Sequence, residues 1–290
     1  MMTSVLLRPR RSVLYMPASN ARALDKARTL PADGLIFDLE DSVAPEAKET
    51  ARRQAIAALA EGGYGDRDLI LRVNALSTPW GLDDLKAAAL SKAHAVLLPK
   101  VETAKQVQEA EALLSNRDIA LWCMIETPRG VLAAGEIAQS SARLGAFVMG
   151  TSDLAKDLRC AHTPDRTALL TSLGLVLLAA RAHGLACLDG VHLDLNDEEG
   201  FESACRQGRE MGFDGKTLIH PKTIDAANRI FAPSEHEIIE AKRICAAFEA
   251  AQAEGKGVTL VDGRLVEHLH VVQAKRLLAV MDVIEAGRKA

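Results

Sequence analysis

Short, unbroken apolar runs punctuate this chain, and longer stretches follow them in which apolar residues recur every three or four positions. Strands are expected at Val13–Met16, Leu35–Leu39, Leu69–Val73, Ala95–Leu98, Leu121–Ile125, Ala146–Met149, Ala186–Leu188 and Thr217–Ile219. These runs do not alternate apolar with polar, which is the habit of parallel strands buried on both faces. Between them lie amphipathic stretches such as "PEAKETARRQAIAALAE" and "TAKQVQEAEALLS". About eight β/α units in some ~230 residues predict an α/β fold of the (β/α)8 barrel type. A doubly wound open sheet is the alternative, because closure leaves no mark in a sequence.

The pattern changes near Pro233. "SEHEIIEAKRICAAFEAAQAEGKG" has a Ser N-cap, an acidic first turn and a Gly stop, and so predicts a helix. "VTLVDGRLVEH" places two β-prone arms around Asp-Gly, a hairpin signal. "HVVQAKRLLAVMDVIEAG" predicts a last helix. The expected division is a barrel over residues 1–232 and a helix–hairpin–helix appendage over 233–290. That appendage is too small for its own core and is expected to dock on the barrel or on another subunit.

Composition narrows the class. The net charge of −4 is spread over dispersed charges, and aromatic residues make up only 3%. Neither a phosphate-binding stripe nor a base-stacking platform is present, so no nucleic-acid partner is expected. The five cysteines lie far apart with no CxxC pair, which suggests reduced thiols and a cytoplasmic location. The N-terminal apolar patch is too short for a signal peptide, and no run approaches the ~18 apolar residues of a membrane span.

In a (β/α)8 barrel the functional groups gather at the C-terminal ends of the strands. Read in order, those ends carry Pro17 and Asn20, then Asp38, Glu40 and Asp41, then Arg72 and Asn74. Lys100, Glu126, Ser152-Asp153, Asp189 and His220-Pro221 follow. Carboxylates outnumber cations here, and an excess of hard oxygen donors suits Mg²⁺ or Mn²⁺. Glu126 and Asp153, each closing a strand just before a helix, are the best ligand candidates. Asp153 also suits a helix N-cap, and Glu126 a buried ion pair with Arg72. Arg72 can fork onto a carboxylate or a carbonyl oxygen. Lys100 fits a Schiff-base lysine, but among so many acids it is expected to stay charged. His220 fits either a base or a satisfied loop histidine.

Seven stretches carry a resemblance: "RSVLYMPASNARALDKA", "GLIFDLEDSVAPEAKETAR", "LRVN", "LLPKVE", "MIETPRG", "GTSDL" and "GKTLIHPKTIDAAN". Together they resemble the citrate lyase β-subunit-like proteins, grouped with the malyl-CoA and citramalyl-CoA lyases in the HpcH/HpaI aldolase superfamily. The resemblance runs from about Arg11 to the last helix. It implies a TIM barrel with Mg²⁺ on Glu126 and Asp153 and a substrate-binding arginine at Arg72. Asp38, Glu40, Asp41 and Lys100 would surround and orient that centre. It also implies contacts to a CoA thioester from Tyr15, Met16, Asn20, Lys26, Ser152, Ile219 and His220. Malyl-CoA lyases carry arginine where this chain has Asn20. The appendage would be a lid over a neighbouring subunit in a homotrimer or hexamer. Its hairpin, "GRLVE", puts Glu267 where the family has a catalytic Asp.

The activity so implied is a Mg²⁺-dependent carbon–carbon lyase, cleaving a malyl-CoA or citramalyl-CoA type thioester to acetyl-CoA and an α-keto acid. A thioesterase, a citryl-carrier lyase subunit and a non-catalytic CoA-metabolite-binding protein are the alternatives. The extra methylene of Glu267 displaces its carboxyl by roughly an ångström, which can cost on the order of 10²-fold in rate.

Overall fold

A computed structural model describes residues 8–287. Its eight principal strands are β1 (Ser12–Pro17), β2 (Gly34–Asp38), β3 (Asp68–Arg72), β4 (Ala95–Leu98), β5 (Ala120–Ile125), β6 (Leu144–Met149), β7 (Ala186–Asp189) and β8 (Gly215–Leu218). All are parallel, and β8 pairs back onto β1, so the sheet is a closed barrel and the open-sheet alternative falls. Each expected strand is present, with ends displaced by one or two residues. Both β6 and β8 start two residues early, and in β8 Gly215 passes against the Arg10 carbonyl. A Cβ at that position would lie 1.8 Å from the Arg10 oxygen.

The unbroken apolar runs follow from two buried faces. Val13, Ile36, Ile70, Leu97, Trp122, Met124, Val148 and Leu188 fill the interior of the barrel. The residues between them, such as Leu14, Leu35, Phe37, Leu71 and Cys123, pack outward beneath the helices. The strand alternation thus decides which strand-end polar groups reach the mouth.

Asp189 shows the consequence and corrects an expectation. It follows the inward Leu188, so it turns out toward the helix layer rather than into the mouth. There it bonds Lys216 Nζ at 2.8 Å and Arg166 Nη1 at 2.7 Å, fully buried beneath the helix Glu198–Met211. Gly208 on that helix leaves the room, since a Cβ there would sit 2.8 Å from Asp189 Oδ2. Burial works against the charge, but Lys216 and Arg166 outweigh it and hold the Asp189 carboxyl below its usual range.

The described residues divide into two compact units, Arg10–Phe231 and a second that takes in the chain from Ala232 on. The second contains the helix Glu235–Ala253, β9 (Thr259–Val261), β10 (Arg264–Val266) and the helix His268–Gly287. Ser234 and Glu237 form a reciprocal capping box at its start. Asp262 (φ 52°) and Gly263 (φ 77°) make the tight turn between the antiparallel β9 and β10. This unit does hold a small apolar cluster of its own, Phe248, Val266 and Val271, where the sequence suggested none. Among the described residues no helix is long and apolar enough to cross a membrane.

Replacing Asp189 by Ala strands two buried cations, and loss of one member of such a network costs about 3–5 kcal/mol. Urea denaturation of Asp189→Ala is expected to show a lower midpoint at unchanged slope.

Candidate active site

The mouth is organised by one ion pair between adjacent strands. Asp38 ends β2 and Arg72 ends β3, paired in register, and both share the inward parity of Ile36 and Ile70. Arg72 Nε and Nη2 each donate to one Asp38 oxygen at 2.6 Å, a two-pronged fork. Asp38 also accepts the Glu40 and Ser42 backbone N–H groups and the Ser42 hydroxyl. Burial opposes its charge, but Arg72 and these donors prevail and keep its pKa low.

The same guanidinium serves the rest of the mouth. Its Nη1 lies 2.9 Å from Glu40 Oε2, and its carbon sits 4.8 Å from the centre of the Tyr15 ring. Nη1 also donates to Met124 Sδ at 3.5 Å, and the Tyr15 hydroxyl meets that sulfur at 3.6 Å. Sulfur is a weak acceptor, so a ligand oxygen displaces it from these two donors at little cost. Burial first, with the surrounding acids, raises the Tyr15 pKa well above its ordinary value despite Arg72. The phenol therefore stays a neutral donor.

A second network, which the sequence reading missed, fixes the turn that carries the acids. Lys48 Nζ donates to the Leu39 and Glu40 carbonyls and to Asn74 Oδ1, at 2.8–2.9 Å. Asn74 donates in turn to Asp84 Oδ2 at 2.6 Å, and Arg52 Nε holds the other Asp84 oxygen at 2.6 Å. The clue in the sequence is positional. Lys48 lies on the same face as Ala51, Ala55 and Ala58, the buried stripe of the helix Lys48–Glu61. A lysine in register with a buried alanine stripe needs a partner inside.

Glu126 projects from the end of β5 with the inward parity of Trp122 and Met124, and it is only 3% exposed. Its Oε1 accepts the Lys100 backbone N–H at 2.7 Å, and Oε2 receives no hydrogen bond from any described residue. Gly150, at the end of β6, is what makes room. A Cβ there would lie 2.3 Å from Glu126 Cβ and 2.4 Å from Oε2. Burial raises the Glu126 pKa to about 7, against the pull of Lys100.

Asp153 is the third residue of the helix Thr151–Leu158, whose cap is Gly150, so it is not the N-cap. It is partly exposed and contacts Lys100 Nζ at 3.5 Å and Lys156 Nζ at 3.3 Å. Lys100 Nζ reaches Glu40 Oε1 at 2.7 Å as well. Burial works against this ammonium, but Glu40, Glu126 and Asp41 together raise its pKa above the usual range. A protonated amine cannot attack a carbonyl, so the Schiff-base option loses its basis.

The donor set fits a hard divalent cation. It offers carboxylate oxygens alone, one of them unbonded and set in a cradle that only glycine leaves open. Among the described residues no three His, Cys, Asp or Glu side chains form a ready cage. A pair such as Glu126 and Asp153 would leave most positions to water and substrate, as Mg²⁺ prefers.

The remaining expected residues lie at or after the ends of β1, β6 and β8 and in the second unit. Met16 packs outward into the helix layer, so its side chain does not face the mouth. Asn20 is exposed and caps the helix Ala21–Lys26, its Oδ1 accepting the Ala23 N–H. Lys26 ends that helix in solvent, and Ile219 is 41% exposed just past β8. His220 is exposed, with Nδ1 accepting the Lys222 N–H. Ser152 precedes Asp153 and is half-buried. Glu267 lies between β10 and the last helix, its N–H donating to His270 Nδ1 at 3.0 Å.

Known proteins share this plan. Residues 11–221 match the family described as HpcH/HpaI aldolase/citrate lyase. The chain is 52% identical to a (3S)-malyl-CoA thioesterase of Cereibacter sphaeroides, across 97% of both proteins. It is 39% identical to citrate lyase subunit beta of Escherichia coli, covering 94% of this chain and 93% of that one. A solved structure of CitE from Mycobacterium tuberculosis, in complex with magnesium, acetoacetate and coenzyme A, matches with a TM-score of 0.78. That match is 31% identical and covers 95% of this chain and 99% of the other. A closed barrel with its polar groups at the strand ends, matched over residues 11–221 and by relatives along nearly its whole length, makes this chain a member of the HpcH/HpaI aldolase/citrate lyase family.

Proposed function

We propose that this protein is a Mg²⁺-dependent hydrolase of a malyl-CoA-type thioester, a 3-hydroxyacyl-CoA ending in a free carboxylate. The resemblance carried by the sequence motifs favours carbon–carbon cleavage over hydrolysis. The observation that reverses the order is the 52% identity to (3S)-malyl-CoA thioesterase across 97% of both chains. Cleavage to acetyl-CoA and an α-keto acid remains the second reading, favoured by the 39% identity to citrate lyase subunit beta.

The roles follow from the mouth. Glu126 and Asp153 would hold the cation, which would supply Lewis acidity toward the substrate's oxygens. Arg72, locked by Asp38 and Glu40, offers the thioester oxygen the Nη1 donor that now rests on the weak acceptor Met124 Sδ. Its charge is already fixed in place, so little reorganisation is needed as negative charge grows there. Tyr15 supplies a neutral donor on the same side. In hydrolysis a water oxygen bonds to the thioester carbonyl carbon and the carbon–sulfur bond breaks. The CoA thiolate leaves and takes a proton. Glu267, from the second unit of a neighbouring copy in a homo-oligomer, is the proposed acceptor of the water's proton. In the lyase reading the same group would exchange the proton of the acetyl carbon.

Mass analysis after incubation with malyl-CoA and Mg²⁺ is expected to give free CoA and the intact hydroxy acid. Acetyl-CoA with glyoxylate would instead establish the lyase. Arg72→Lys keeps the charge but loses the fork, and is expected to lower kcat by about 10²–10³-fold, the cost of one lost oxyanion donor.

Proton and cation compete for Glu126. Its folded pKa is raised to about 7, so the carboxylate that binds the cation prevails only above that value. The Mg²⁺ dissociation constant, measured by calorimetry, is therefore expected to be level at alkaline pH. Below about pH 7 it should rise by up to about tenfold per unit. A flat profile would exclude Glu126 as a ligand.

Mixing inactive Glu267→Gln protein with inactive Arg72→Ala protein tests the neighbouring-copy role. Activity is expected to return on subunit exchange, and no recovery after demonstrated exchange would remove Glu267 from the reaction.

A further inference from the structure

Lys100 touches more of the acidic mouth than any single ligand needs. Its backbone N–H donates to Glu126 Oε1 at 2.7 Å, while its Nζ lies 2.7 Å from Glu40, 3.6 Å from Asp41 and 3.5 Å from Asp153. It does so from φ 49°, the left-handed region that a lysine rarely enters. Such a conformation persists only where its surroundings enforce it. One residue therefore bridges both members of the proposed metal pair, by its backbone on one side and its ammonium on the other.

The charges explain why. Asp38 is matched by the Arg72 fork, leaving Glu40, Asp41, Glu126 and Asp153 to share one Arg72 nitrogen and the Lys100 ammonium. Lys156 adds a contact to Asp153, but from an exposed position where water screens it. Without Lys100 the buried Glu40 and Glu126 and the partly buried Asp153 would repel one another with less compensation.

We infer that Lys100 is a tethered counter-cation that stands in for the metal. It neutralises the mouth when no divalent ion is bound, and it is displaced from Asp153 when one binds. The contact that must yield is the 3.5 Å one to Asp153, whereas the 2.7 Å bond to Glu40 and the backbone bond to Glu126 stay in place. Lys100 is thus a positioning residue. Its backbone aims the unbonded oxygen of Glu126 at the ion, and its ammonium sets how tightly that ion is held. This inference rests on the reading of Glu126 and Asp153 as the metal pair.

Calorimetric titration of the purified, metal-free protein with MgCl₂ tests it without reference to turnover. Lys100→Met removes the competing charge and keeps the length of the side chain. It is expected to bind Mg²⁺ roughly tenfold more tightly than the wild type, since a like charge has left the site. The Mg²⁺-induced rise in Tm should grow in step. If Lys100→Met fails to fold, Lys100→Gln, which retains a donor to Glu40, is expected to show the same tightening. Unchanged or weaker Mg²⁺ binding in a folded variant would overturn the inference. A wild type that binds no Mg²⁺ would overturn the metal assignment itself, an outcome distinct from the first.

Discussion

The buried fork between Asp38 and Arg72 is the contact on which the rest of the mouth depends. Two charges at the top of a barrel interior lose most of their hydration, and Coulomb attraction repays this only when every donor and acceptor is matched. Here both Asp38 oxygens meet guanidinium nitrogens at 2.6 Å, and the surplus acceptor capacity goes to Glu40, Ser42 and the turn between them. The fork also fixes the plane of Arg72, so its remaining Nη1 edge meets Glu40 and Met124 while its face lies against the ring of Tyr15. An arginine free to rotate would offer the same charge without the direction.

Around that pair the acids are held close by two different means. Glu40 and Asp41 are kept at the mouth from behind, because Lys48 and Asn74 grip the carbonyls of their turn and not their carboxylates. Glu126 is kept there by space, in a slot that exists because residue 150 has no side chain. Burial raises the pKa of both Glu40 and Glu126, against the pull of Arg72 and Lys100. Lys100 meets both, its ammonium on Glu40 Oε1 and its backbone N–H on Glu126 Oε1.

Asp189 and Asp38 make the role of alternation plain. Each ends a strand and is fully buried with cationic partners. Asp38 shares the parity of Ile36 and enters the mouth, whereas Asp189 follows Leu188 and enters the wall. One stabilises the barrel and the other organises a site, although their sequence contexts look alike.

Much of this was legible in the sequence. Near-continuous apolar runs marked the barrel strands, because burial on both faces leaves few polar positions; β8, with buried Lys216 and Thr217, is the weakest of them. Asp-Gly marked the hairpin turn, because residues 262 and 263 must both adopt positive φ. The acids and Arg72 could be assigned to one rim, since a barrel gathers its strand ends there. What only the tertiary structure decided was which way each side chain points and what it meets. Closure of the sheet, the outward turn of Met16 and Asp189, the inward reach of Lys48 and the bridging position of Lys100 all depend on contacts between residues far apart in the chain. Such contacts are set by the pairing register and by the space that neighbours leave, as at Gly150 and Gly208, and a linear pattern of apolar and polar residues contains neither.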